Sequence, residues 1–184
     1  DFASIGYTAT PNLVNLADYG VPQTRQRVFI IGMKKTNVDA QFTLPQKTHD
    51  RFGANNLKKW VSIKEAIDHF SDPDGENDIP NHMYSAYKIA YRNFTGHRFT
   101  EPDKPSPTIL ARGNGKGGVC AIPHYNGKRR LTIRESAAVQ TFPDDFVFFG
   151  SMTSCYRQVG NAVPCHYAYL LGLALNKMRK NEGN

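Results

Sequence analysis

The alternation of apolar and polar positions predicts a chain that mixes short strands with helices. Residues 28–32 (Val-Phe-Ile-Ile-Gly) form a continuous apolar run between basic positions. Such a run favours a strand buried on both faces of a parallel or mixed sheet. Ser62 and Glu65 form a capping box ahead of apolar residues at helical spacing, which predicts a helix that the turn at 72–75 ends.

The second half of the chain carries two more helix signals. Thr132 and Glu135 form another capping box, which predicts a short helix that Pro143 stops. A last helix is predicted from about residue 161 to 180. Its stretch 167–175 is apolar nearly all round, so we expect it to pack against a large body.

Between these helices lie two β-like pieces, 108–110 and 119–122, around a segment rich in glycine, arginine and lysine. Residues 113–118 match the pattern Gly-x-Gly-x-x-Gly, but a β-branched stretch ending in proline follows instead of a helix. A dinucleotide site requires that helix. The segment is therefore interpreted as a flexible loop whose backbone can approach phosphates or base edges.

Composition and charge narrow the function classes. The 184 residues are 40% hydrophobic, carry a net charge of +7 and contain three widely spaced cysteines. No apolar run is long enough for a membrane span, and neither the cysteines nor the histidines have metal-ligand spacing, so no metal site is predicted. Residues 104–134 hold seven basic residues and no acidic one, which accounts for the whole excess. This block indicates a polyanionic partner or, equally well, a solvated basic surface.

Three segments have patterns that point to chemistry. The first, 16–28, ends in Gln-Thr-Arg-Gln-Arg-Val, where Arg25 and Arg27 enter the predicted strand. Strand alternation would put both arginines on one face, suited to a phosphate or a carbonyl oxygen. The others are 130–146, beginning Arg-Leu-Thr-Ile-Arg-Glu, and 156–164, which contains Gly-Asn-Ala-Val-Pro.

In this order the three segments resemble the last three motifs of the cytosine-C5 DNA methyltransferases, and the resemblance covers essentially the whole chain. It implies an α/β fold: the C-terminal part of the mixed sheet of an S-adenosylmethionine-dependent methyltransferase, plus a smaller α+β DNA target recognition domain. The implied division is 1–35 for strands of the catalytic domain, 36–153 for target recognition, and 154–184 for a helix returning to the catalytic domain.

The resemblance also implies roles for single residues. Arg25 and Arg27 would be catalytic residues at a cytosine flipped out of the duplex, with Arg27 at the base O2. The alternative is that both arginines only form salt bridges with neighbouring carboxylates. Arg134 and Glu135 would be structural, as a helix cap and an internal ion pair.

The DNA and cofactor contacts follow in the same way. Thr108 would contact a backbone phosphate, and Asn161, Ala162 and Val163 would line the pocket for the methionine end of S-adenosyl-L-methionine. The remaining DNA-binding residues would form a recognition loop in the major groove: Arg112, Gly113, Gly115 and Lys116. Arg112 suits a guanine edge, although a phosphate contact fits it equally well.

Three motifs of the family's N-terminal half are not found: the Phe-x-Gly-x-Gly cofactor loop, the Pro-Cys-Gln nucleophile and Glu-Asn-Val. The resemblance therefore implies a C-terminal portion that is inactive without its N-terminal half, with double-stranded DNA as the other partner. A restriction-modification role in the bacterial cytoplasm, at the nucleoid, would follow. The rival interpretations are a stand-alone sequence-specific DNA-binding module and an RNA methyltransferase relative.

Overall fold

The computed structural model describes residues 2–35, 42–86, 99–111 and 122–181, with side chains up to residue 178. A short 3-10 helix, Phe2–Ile5, precedes strand β1, Tyr7–Asn15. Another 3-10 turn, Leu16–Tyr19, leads to β2, Gln23–Thr24, and then to β3, Gln26–Lys34. The side chain of Asn15 caps the second turn, and Gly20 closes it in the left-handed region, with φ of 85°.

Strands β1 and β3 form an antiparallel pair whose register runs from Tyr7 opposite Lys34 to Asn15 opposite Gln26. Val28 is 60% exposed and Ile30 is 55% exposed. The predicted strand at 28–32 is therefore confirmed, but its burial on both faces is wrong for the described residues. Antiparallel pairing sends alternate side chains to opposite faces, and only the face with Phe29 packs against the rest of this chain.

Two small parallel pairs tie the middle of the chain together. Strand β4, His49–Asp50, pairs with β5, Lys58–Lys59. Strand β6, Ser106–Pro107, pairs with β2. The predicted β-like piece at 108–110 lies just past the end of β6 and is not a strand.

The α-helices of the described residues are α1, Ile63–Ile67; α2, Ile133–Val139; α3, Met152–Asn161; and α4, Cys165–Asn181. Both predicted capping boxes are confirmed, because each N-cap hydroxyl accepts from the N3 amide while the N3 glutamate accepts from the N-cap amide.

The end of the chain differs from the sequence prediction in two ways. Helix α3 was not predicted, and α4 begins at Cys165, later than expected. Tyr167 of α4 is fully buried, but Tyr169 is 63% exposed and Leu173 is also exposed. Among the described residues, therefore, only one face of α4 is covered. No helix there is long and apolar enough to cross a bilayer.

The buried apolar residues form two clusters. One joins α1, α2 and α3, with Ile63, Ile133 and Tyr156 among its members. The other joins the β1–β2 region to α4, where the Tyr167 ring lies 4.9 Å from Tyr19 and 5.0 Å from Phe29. Helix α3 packs in the first cluster and spans the predicted domain boundary at 153/154.

Candidate functional site

Arg25 is buried between three parts of the chain. Its Nη1 donates to the carbonyl of Ile109 at 2.8 Å, and its Nη2 donates to those of Gly160 at 3.2 Å and Ala162 at 3.4 Å. Burial, with a smaller contribution from Arg27, lowers the pKa of Arg25 to about 10. The guanidinium therefore stays charged at neutral pH and cross-links the segment after β6 to the end of α3.

Two buried glutamines extend this cross-link. Nε2 of Gln23 donates to Oε1 of Gln140 at 2.9 Å, and Oε1 of Gln23 accepts from the Ile109 amide at 2.8 Å. Gln140 in turn donates to the carbonyl of Val159 at 2.7 Å. Sequence reasoning missed both glutamines. Their position inside the motif segments 16–28 and 130–146 was the available signal.

Arg27 lies in a different environment although it is only two residues away. It is exposed on β3 and donates from Nη1 to the carbonyl of Gln26 at 2.7 Å. The prediction that strand alternation places both arginines together does not hold, because Arg25 precedes β3 and is buried. Neither arginine forms an ion pair with a carboxylate of the described residues, so the salt-bridge alternative fails for them.

Arg27 lines a groove of about 990 Å³, which we call the Arg27 groove. Its walls come from the β1–β3 strands, the segment 51–60 and the segment 99–108. The charged lining residues are Arg27, Arg51, Lys59, Lys104, Glu101 and Asp103. The aromatic lining residues are Phe52, Trp60 and Phe99. Cations together with aromatic rings are typical of surfaces that bind single-stranded nucleic acid.

Thr108 is part of the same groove. Its hydroxyl donates to the carbonyl of Thr24 at 2.8 Å, which joins the groove wall to β2. A phosphate contact would require this hydroxyl to turn away from Thr24. The predicted recognition-loop residues, Arg112, Gly113, Gly115 and Lys116, lie outside the described residues.

The basic block at 104–134 is less available to a partner than its composition indicated. Arg129 lies mostly out of solvent and forms a two-pronged ion pair with Glu135, with both N–O distances 2.7 Å. Arg130 is also buried. Glu135 thus has the structural role expected of it, as part of a capping box and of an internal ion pair. The difference is that its ion-pair partner is Arg129.

Arg134 itself is fully buried and bonds only to backbone among the described residues. Its guanidinium donates to the carbonyls of Pro80 at 3.0 Å, of Pro143 at 2.9 Å and of Phe146. Burial lowers its pKa, with the carboxylates of Asp144 and Asp145 acting in the opposite direction. It fastens the start of the α2 region to the loop that follows it.

The predicted cofactor residues form the link between α3 and α4. Asn161 and Val163 are exposed, and the Ala162 amide donates to the carbonyl of Val159 at 3.2 Å. At Gly160, a Cβ would lie 2.4 Å from the backbone of Leu110 and Ala111, so only glycine allows this approach. The link presents an amide side chain beside an apolar one.

No group of three or more potential metal ligands converges within the described part of the chain. Cys165, which adjoins His166, has its pKa raised by burial, as expected for an unreactive thiol.

Several solved structures share the fold of this chain. The chain superimposes on the S. pombe Dnmt2 methyltransferase with a TM-score of 0.63 at 15% identity, over 96% of this chain and 60% of that one. The Entamoeba histolytica methyltransferase EhMeth gives a TM-score of 0.59 at 15% identity, over 96% of this chain and 55% of that one. The α/β methyltransferase fold expected from sequence is therefore confirmed.

Sequence comparisons also match this chain to methyltransferases. The chain is 37% identical to the type II methyltransferase M.NgoFVII of Neisseria gonorrhoeae, over 89% of this chain and 48% of the relative. It is 33% identical to M1.HphI of Haemophilus parahaemolyticus, over 98% of this chain and 51% of the relative. The chain thus spans about half the length of these relatives. The family model for C-5 cytosine-specific DNA methylases matches residues 1–177, and the chain belongs to that family.

Proposed function

We propose that this chain is the C-terminal portion of a DNA (cytosine-5-)-methyltransferase, which binds duplex DNA and the target cytosine in the Arg27 groove. The single observation that carries the proposal is the position of Arg27. It is exposed, unpaired with any carboxylate of the described residues, and fixed on a strand in a groove lined by cations and aromatic rings. The nucleophilic cysteine would come from an N-terminal half.

Arg27 is the proposed catalytic residue. When a thiolate adds to C6 of the flipped cytosine, negative charge spreads over the ring, and a guanidinium at O2 stabilises it. Arg25 was expected to share this role. Because it is buried on three carbonyls, we assign it instead as a positioning residue, which holds the groove wall and the cofactor segment in register.

Membership of the family implies S-adenosyl-L-methionine as the cofactor. It would supply the methyl group for C5 of the cytosine. Asn161, Ala162 and Val163 would hold its methionine end, with the Asn161 amide bonding the polar groups and Val163 contacting the aliphatic part. The rest of the pocket would come from the N-terminal half. Residues 1–35 and 154–184 would belong with that half, although α3 packs on the recognition part.

The partners follow from the same assignment. Thr108 and the loop residues Arg112, Gly113, Gly115 and Lys116 would contact DNA beside the groove. The type II methyltransferases among the relatives favour a restriction-modification role. The enzyme would then work at the bacterial nucleoid, where its DNA substrate lies.

A complementation experiment tests the proposal. The chain is co-expressed with the N-terminal half of M.NgoFVII, and transfer of labelled methyl groups to plasmid DNA is measured. We expect transfer by the pair, and none by either part alone. Methyl transfer by the purified chain alone that survives Cys165→Ala would contradict the proposal. Salt-sensitive DNA binding without transfer by the pair would favour the stand-alone DNA-binding module.

A further inference from the structure

Phe52 is the most exposed large apolar side chain among the described residues, at 80% exposure, and it lines the Arg27 groove. It lies in the segment 50–57, which we call the Phe52 loop; this segment runs from the last residue of β4 to the start of β5. A single exposed phenylalanine is common on protein surfaces. What distinguishes Phe52 is the rigidity of its loop and the charges around it.

The Phe52 loop is held by hydrogen bonds within the loop itself. The carboxylate of Asp50 accepts from the amides of Phe52 at 2.8 Å and Ala54 at 3.2 Å, and these bonds keep the pKa of Asp50 below its usual range. The Gly53 amide donates to the Asp50 carbonyl at 3.3 Å, with Gly53 in the left-handed region at φ of 72°. The loop therefore presents Phe52 in a defined position.

The base of the loop is fixed to the β1–β2 region through Asp18. The Thr48 amide donates to the Asp18 carbonyl at 3.0 Å, and Nε1 of Trp60 donates to its carboxylate at 3.0 Å. Nζ of Lys47 forms an ion pair with the same carboxylate at 2.8 Å. The loop and Arg27 are consequently parts of one connected framework.

The charges around Phe52 suit a nucleic acid. The Arg51 guanidinium lies 5.3 Å from the centre of the Phe52 ring, and Lys59 lines the groove next to it. Glu101 and Asp103 also face this groove, and Lys104 pairs with Glu101 at 2.6 Å. The exposed apolar side chains of β3, Val28 and Ile30, are not among the residues that line this groove.

We propose that Phe52 is an aromatic wedge that stacks on a nucleobase left unstacked when the target nucleotide leaves the duplex. Arg51 and Lys59 would hold the flanking phosphates. Aromatic rings stack on any base, and apolar side chains inserted at a base step stabilise a distorted duplex. The inference rests on the proposed function, since it requires DNA in the Arg27 groove.

Fluorescence anisotropy with the 184-residue chain tests the wedge. The probes are a fully paired duplex and the same duplex with one abasic site, which offers an unstacked base. We expect the unmodified chain to prefer the abasic duplex. Phe52→Ala should weaken binding to that duplex by about 10-fold, the order expected for one base–aromatic stack, with much less effect on the paired duplex. Phe52→Trp should retain the preference.

Phe149→Ala is the matched control, because Phe149 is 79% exposed but lies outside the Arg27 groove. It should leave binding to both duplexes unchanged. Equal losses on both duplexes for Phe52→Ala, or an effect of Phe149→Ala as large, would overturn the wedge. If the unmodified chain binds DNA and the Phe52→Ala variant binds both duplexes with the same affinity as the unmodified chain, only the wedge proposal is wrong. If the unmodified chain binds neither duplex, the proposed function fails and the wedge with it.

Discussion

At the scale of single residues, Arg25 and Arg27 show that the same side chain two positions apart can have opposite uses. Arg25 is surrounded by carbonyl oxygens from Ile109, Gly160 and Ala162, so its five donors are largely engaged within the fold. Arg27 lines the groove, and its one hydrogen bond within the described residues goes to the neighbouring Gln26 carbonyl. A substitution at each position should therefore affect different observables.

For Arg27→Ala in the complemented enzyme, we expect single-turnover methyl transfer to fall by about 10²–10³, because a donor acting on the transition state is removed. Duplex affinity should change far less, and the melting temperature should not change. Arg157→Ala removes the same charge from an exposed position of α3 outside the groove and serves as control. Normal single-turnover chemistry in a folded Arg27→Ala protein would remove Arg27 from the catalytic assignment.

At the scale of elements, the end of α3 packs closely against the segment that follows β6, and this contact positions the candidate site. Gly160, near the end of the helix, lies against the segment that follows β6, and the backbone of Leu110 and Ala111 occupies the space that a side chain would need. The same turn offers the Gly160 and Ala162 carbonyls to Arg25. The position of the cofactor segment thus depends on a contact between backbones.

Gly160→Ala should therefore lower the free energy of unfolding by about 3 kcal/mol or more, through overpacking against backbone that cannot move aside. For a chain of this size that corresponds to roughly 6–12 °C in melting temperature, measured by circular dichroism.

The control for that prediction is Gly172→Ala in α4, where an added Cβ meets nothing within 4 Å. It should raise stability by about 0.5–1 kcal/mol, because alanine is the better helix former. Equal melting temperatures for the two variants would contradict the steric role of Gly160.

At the scale of the whole molecule, the net charge of +7 does not describe the surface that a partner meets. Three arginines of the basic block, Arg129, Arg130 and Arg134, lie mostly or wholly out of solvent. The cations that line the Arg27 groove are Arg27, Arg51, Lys59 and Lys104, and only Lys104 belongs to that block. Position in the fold, more than composition, sets the electrostatics of binding.

Binding to duplex DNA should weaken steeply with salt. Lys104 is paired with Glu101. If the other three groove cations each neutralise one phosphate, the log–log slope gains about −2.7, at roughly −0.9 per phosphate. Lys59→Gln should make the slope shallower by about 0.9. Lys64→Gln, which removes an exposed lysine outside the groove, should leave it unchanged. A duplex affinity that does not change with salt concentration would exclude the electrostatic mechanism.

Local signals predicted the parts of the fold that local interactions determine. Both capping boxes formed as expected, since each involves four consecutive residues. The burial of residues 28–32 was predicted wrongly, because the number of neighbours a strand has depends on the rest of the sheet. Helix α3 was missed since its apolar residues are few and its packing on α2 is a tertiary contact.

The candidate site was predicted in the same uneven way. The motifs singled out both Arg25 and Arg27. They could not separate the exposed Arg27 from the buried Arg25, whose partners are 84 and 135 residues away in sequence. The Phe52 loop carried no motif. Its relevance depends on Asp18 and Arg27, which only the folded chain brings near it.

The contact between Gly160 and residues 110–111 also limits how recognition specificity can be exchanged between relatives. A chimaera joined within 106–111 would separate β6, the Ile109 carbonyl and the Ala111 backbone from the partners that fit them. A graft that begins after Ala111 keeps these contacts intact. Under the proposed function, the exchangeable segment would therefore start just beyond Ala111, and DNA sequence preference would change while the groove wall stays in place.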